Sequence, residues 1–330
     1  LTSPAQGIHD HPTLKLGART GRLRSNTPAL PFRQFLRVVP QHPIVDTAPG
    51  FAYPMDKNDV AGDCVVAGLD HALQVIYELL GVPRSNWTDA QILAFYQTQN
   101  PGFRDWSDAE GPDDRGMDIQ AFLSYLVKQG LILGFASVDP TDQDTMKAAI
   151  YLGLAVVTGE DLRAAQQSQG TWDYVAGSPD WGGHCTCSVG FPGLNLETAV
   201  TWGALKDMTQ AFVSKQMSEA YFVVTQAHVD HPAFREGFDL VKFGEAFTSL
   251  TGRDFPVVIP EPEPTPDPGP VPPQPVPVPT DVDRQLADAA RAWLSRTLHS
   301  HAQTVALRGA LTDWMDVHYP LNGDGGRHRD

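Results

Sequence analysis

The sequence predicts an α+β domain, with helices gathered in its first half and an antiparallel sheet in its second. Three observations carry this. Apolar residues recur at helical spacing up to about residue 152, the period falls toward two from residue 154 onward, and a proline tract closes the domain. That tract holds 12 prolines in the 24 residues from Pro256 to Pro279.

Residues 1–45 are polar, basic in places and without sustained periodicity. They read as an extended N-terminal arm, either a plain loop or a strap or prosegment across the main domain, 46–255. Asp63 to Leu80 predicts the first helix, with Val66, Leu69, His71, Leu73, Val75, Ile76 and Leu79 on its buried side and Gly81 and Pro83 as its stop. Asn86 or Thr88 caps a second helix whose apolar side includes Ile92, Leu93 and Tyr96. Pro101 to Gly116, rich in Gly, Asp and Pro, reads as a surface loop; its acids lack the ligand spacing of a calcium loop. Asp118 caps a third helix carrying Ile119, Phe122, Leu123, Leu126 and Val127. A short helix over 142–152 leads into a strand near Leu154, and strands follow at His184–Phe191, Glu197–Trp202 and Ala220–Thr225.

The tract over 256–280 builds no core and reads as an extended spacer. Residues 281–320 predict helix, with a stripe through Leu286, Ala289, Ala290, Trp293 and Leu294. So short a helical segment needs a surface to dock on: the main body, a second subunit or a protein partner. Residues 321–330 read as a disordered tail.

Composition narrows the function. With 24 basic and 39 acidic residues the formal charge is −15, which works against a broad nucleic-acid surface or adhesion to acidic lipid. No apolar run reaches the length of a membrane helix, the first residues hold no hydrophobic leader segment, and no compartment is implied. Three cysteines, Cys64, Cys185 and Cys187, do not suit a disulfide framework, and the last two lack the gap of a zinc knuckle; no metal or cofactor is expected. Walker, dinucleotide, HExxH and nucleophile-elbow motifs are missing.

Cys64 stands where a Gly/Asp/Asn-rich turn becomes a helix. Packing, a metal site or a nucleophile would each account for it; a thiolate there meets unpaired amide donors and the favourable end of the helix dipole. His184, after Gly182 and Gly183, is the candidate proton acceptor, facing a cleft while Cys185 and Cys187 point to the core or the opposite face. His71 is read as a packing residue.

In this order these segments resemble the papain-like cysteine peptidases. Asn58 stands where that family has a Gln six residues before the nucleophile, and Gly62 and Asp63 fill the small-residue positions before Cys64. Gly116, Met117 and Asp118 match the substrate-loop segment, GGHCTCSVGF the His-bearing strand, and Thr201-Trp202-Gly203 the Ser-Trp-Gly segment. The resemblance implies a papain-like two-part domain with a C-terminal helical appendage. It further implies a Cys64–His184 dyad, an oxyanion donor in Asn58, substrate contacts at Gly62, Asp63, Gly116 and Met117, and shielding by Trp202. Two departures stand out. Val65 replaces the aromatic after the nucleophile, and Val200 stands where the family's Asn or Asp orients the imidazole. Thr201, expected to point to the opposite face, and Glu197 or Asn195 are the remaining orienters. The expected activity is thiol-dependent hydrolysis of a peptide or amide bond; the alternatives are an inactive domain kept for binding or assembly, and an acyl or peptidyl transferase.

Overall fold

The computed structural model describes residues 14–20, 30–37, 45–46, 51–193 and 195–256. The spacer, the helical segment 281–320 and the tail lie outside them. Eight helices are described: α1 Cys64–Leu79, α2 Asp89–Gln97, α3 Ile119–Lys128, α4 Gln143–Gly153, α5 Gln210–Gln216, α6 Gln226–Asp230, α7 Pro232–Gly237 and α8 Leu240–Thr251. The strands are β1 Val45–Asp46, β2 Gly134–Val138, β3 Val156–Arg163, β4 Asp180–Gly193, β5 Leu196–Thr201, β6 Ala204–Thr209 and β7 Met217–Val224. They form one antiparallel sheet in the order β2-β7-β3-β4-β5-β6, with β1 also paired to β4.

Local chemistry sets the helix starts. Thr88, not Asn86, caps α2 in a reciprocal capping box with Gln91. Asp118 and Asp142 cap α3 and α4 through the backbone N–H groups of Ala121 and Thr145. Each removes an orphan donor that would otherwise face a poorly solvated helix end.

Strand alternation divides the interior in two. Val157, Cys187, Val200 and Val223 turn toward α1, α2 and α3, while Val156, Phe191, Ala199 and Phe222 turn toward α4, α5 and the aromatic cluster of Phe32, Phe35, Phe238 and Phe243. The sheet is therefore covered on both faces, which explains why β4 is buried along most of its length instead of alternating. Its central strand β4, which carries His184, packs against α1, whose first residue is Cys64. Among the described residues no helix is long and apolar enough to cross a membrane.

Candidate active site

The chain enters α1 through a strained turn. Asp56 and Lys57 have φ of 52° and 67°, a left-handed backbone that costs non-glycine residues about 1–3 kcal/mol each and tends to persist at functional sites. The turn delivers Asn58, almost fully buried, to the helix start; its Nδ2 lies 3.4 Å from Asp63 Oδ1 and 3.5 Å from the Ala61 carbonyl. Asp63 occupies the N-cap position but makes no side-chain cap bond. Burial holds its carboxyl well above the usual range, and the Asn58 bond works against that shift.

The Cys64 sulfur lies against the backbone amides of Cys185 and Gly17. The expectation that the helix terminus lowers its pKa is overturned here. Complete burial pushes the thiol up to about 12, outweighing both amides, and the Asp63 and Glu160 carboxyls push the same way. Burial likewise pushes His184 down to about 3. The two groups are neutral in this state, a thiol and an imidazole.

His184 is held on two sides. Its Nε2 lies 2.7 Å from Thr201 Oγ1, and its ring stacks on Trp202 with centroids 4.1 Å apart at 18°. Nδ1 is buried with no hydrogen-bond partner. Trp202 itself sits at φ 45°, another strained position. Thr201 was expected to face away, and the register explains the reversal. Val200 pairs with Cys187 and enters the core on the α1 side, so the next residue, Thr201, turns to the face that carries His184. Val200 packs and orients nothing. Glu197 is engaged by Ser188, and Asn195 is exposed. Cys185 and Cys187 lie in the core shared with α1, where Cys185 Sγ comes within 3.0 Å of the point at which a side chain at Gly68 would begin.

The groove between these walls is filled by residues 14–20. Lys15 donates to the Asn58 carbonyl at 3.2 Å, Gly17 and Ala18 both donate to Gly183 O at 3.1 and 3.0 Å, and Arg19 donates to Met117 O at 2.8 Å. Met117 returns a bond to Gly17 O at 2.7 Å. The Lys15 carbonyl accepts from Trp202 Nε1 at 3.1 Å and from Asn58 Nδ2 at 3.4 Å. Side chains add Lys15–Glu110, Arg19–Gln99 and Thr20–Asp161 contacts. Passage is so close that a Cβ on Gly17 would fall 1.8 Å from Gly62 O, and one on Gly116 1.8 Å from Gly17 O. Residues 14–20 are a strap bonded to both walls, not a plain loop. It contacts Asn58, Gly62, Gly116, Met117 and Trp202, five of the residues the sequence singled out.

His71 packs as expected, fully buried with Nε2 2.8 Å from Pro54 O. Sequence reasoning missed one buried carboxyl, Glu160, which pairs across the strands with His184 and, like Glu197, has one oxygen lacking a partner. The signal for Glu160 was an acid shortly after the apolar run Leu154–Val157 and at an inward position of β3. Among the described residues no three His, Cys, Asp or Glu side chains converge as a metal site.

No family model matches the chain, and no curated protein matches its sequence. Solved structures do. Xylellain, a cysteine protease from Xylella fastidiosa, is similar over 68% of this chain and 99% of its own, with a TM-score of 0.51 at 14% identity. A procathepsin B from Trypanosoma congolense is similar over 65% of this chain and 87% of its own, with a TM-score of 0.46 at 12% identity. Digestive procathepsin L 3 of Tenebrio molitor larval midgut is similar over 65% and 77%, with a TM-score of 0.45 at 9% identity. The chain has a papain-like fold.

Proposed function

We propose that the protein is a latent thiol hydrolase of peptide or amide bonds, with Cys64 as nucleophile, His184 as its base and the strap as its lock. The observation that carries this reading is the extended peptide already lying in the groove, bonded through its backbone to both walls and presenting a carbonyl to Asn58 and Trp202. A groove that accepts one peptide by main-chain bonding suits others of varied sequence.

With the strap lifted, water reaches the pair and relieves the burial that keeps both groups neutral. The Cys64 proton passes to His184 Nδ1, the ring nitrogen left free by the Thr201 bond. The thiolate attacks the substrate carbonyl carbon, and the oxyanion that forms is held by Asn58 Nδ2 and the Cys64 backbone N–H at the open end of α1. His184 then protonates the leaving amine, and water cleaves the thioester with the imidazole as general base. Trp202 covers the ring and keeps the Thr201 contact dry.

The test is thiol labelling of the full-length protein by an electrophilic probe, with the modified cysteine located by mass. Cys64 should react faster than Cys185 and Cys187, and His184→Ala should slow it. Equal, slow labelling of all three thiols would remove the reading. One observation favours the second reading, an inactive binding module: the dyad is neutral and fully buried with the groove occupied. Under that reading Cys64→Ala leaves function intact, and displacing the strap creates no reactive thiol.

A further inference from the structure

Glu160 on β3 lies directly opposite His184 on β4 in the antiparallel register, so the two side chains share a face of the sheet with Cβ atoms roughly 5 Å apart. Both are wholly buried. The carboxyl accepts from two hydroxyls through Oε1, Thr158 Oγ1 at 2.6 Å and Thr186 Oγ1 at 2.9 Å, and leaves Oε2 without a partner. Nδ1 of the facing His184 is likewise buried without a partner, and two such orphans on paired residues are costly unless they serve one another in another protonation state.

We propose that Glu160 is the counter-ion of the His184 imidazolium, a positioning residue supplied by β3 in place of the orienting side chain that Val200 lacks. This rests on the dyad reading. When the groove opens, the Cys64 proton goes to His184 Nδ1 and Glu160 gives its own proton to solvent. Three neutral groups become a thiolate, an imidazolium and a carboxylate, with one proton released. Thr158 and Thr186 are already aimed to receive that carboxylate, and both lower its pKa. Burial, with Glu197 and Glu219 nearby, keeps Glu160 at about 8 while the strap is seated, so the charge is withheld in the closed state. Among the described residues the His184 ring also meets Thr201, Trp202 and Trp172, all uncharged. A carboxyl and an imidazole this close titrate as a pair, each favouring the charged form of the other.

The experiment uses the full-length chain carrying Gly17→Glu, which cannot seat the strap, with and without Glu160→Gln. Cys64 alkylation at pH 6 should fall about tenfold on Glu160→Gln, while alkylation at pH 10, where the thiol ionises unaided, stays within twofold. Glu160→Asp should restore part of the loss. In parallel, nitrogen NMR should find the His184 ring protonated near pH 6 and neutral after Glu160→Gln, read also with Cys64→Ala so that the thiol plays no part. A ring state indifferent to Glu160→Gln overturns the inference, as does an equal loss of alkylation at both pH values. An inert Cys64 with a ring that still responds to Glu160→Gln defeats the hydrolase reading and leaves the pair standing.

Discussion

Thr201 shows how much one step along a strand decides. Its hydroxyl takes the imidazole Nε2 and so leaves Nδ1 as the nitrogen that accepts the Cys64 proton in the proposed mechanism. Thr201→Val keeps the shape and removes the bond, and it should lower peptide turnover by about a hundredfold. That is less than the roughly 10^4 lost when a Ser-His-Asp enzyme loses its orienter, because a thiol and an imidazole exchange their proton without a third member. Thr201→Ser should retain most activity, and steady-state assays of the strap-displaced protein would separate the two. Asn58 predicts a different signature. Asn58→Ala should cut turnover by about 10^2–10^3, the usual loss of one oxyanion donor, yet leave Cys64 alkylation nearly unchanged because that reaction builds no oxyanion. Equal losses in both assays would show that Asn58 only supports the turn.

At the scale of elements, what was legible in the sequence was whatever announces itself by side chains. α1, α3 and α4 follow their apolar periodicity to within a residue or two, and Thr88 and Asp118 cap α2 and α3 where residue chemistry puts them. β2 and β6 went unread because GFASV is weakly apolar and ALKDMT puts Lys206 at a buried position. Lys206 escapes the cost by donating to the Gln169 and Gly170 carbonyls, partners that no local pattern reveals. The strap stayed one of two readings of the N-terminal arm for a deeper reason: its principal bonds are main chain to main chain, and such bonds leave little mark on residue type beyond glycine. The same fact makes it testable. Gly17→Glu places side-chain atoms where Gly62 O already sits, so it should unseat the strap and raise Cys64 labelling at neutral pH by at least tenfold in the intact chain. No change in labelling would show that the strap does not gate the thiol. Thr88→Ala, at the other wall of the helical half, should cost about 1 kcal/mol in denaturant titrations and leave the labelling rate alone.

Across the whole molecule, buried titratable groups set opposing limits on stability. Asp56, Glu160 and Glu197 are raised by burial to about 8, 8 and 7, so the folded state keeps protons that the unfolded chain has shed above about pH 4 to 5. Their contribution falls as pH rises through that window. His184 and His228 are lowered by burial to about 3 and 4, so below about 6.5 the unfolded chain takes up protons that the folded state refuses, and stability falls as pH drops. The melting temperature should therefore peak at about pH 4–5, where the three acids and two histidines balance, and decline on both sides. Glu197→Gln should flatten the alkaline side without moving the acid side, as read by scanning calorimetry; a profile rising steadily to pH 8 would contradict this account. The crossing of the strap has one more outcome. Three glycines, Gly17, Gly62 and Gly116, let two backbones nearly touch, so recognition there depends on a short run of main chain and hardly on what precedes or follows it. A free heptapeptide of sequence LKLGART should then compete in trans for the vacated groove of the Gly17→Glu protein, and the same peptide with its glycine replaced should not.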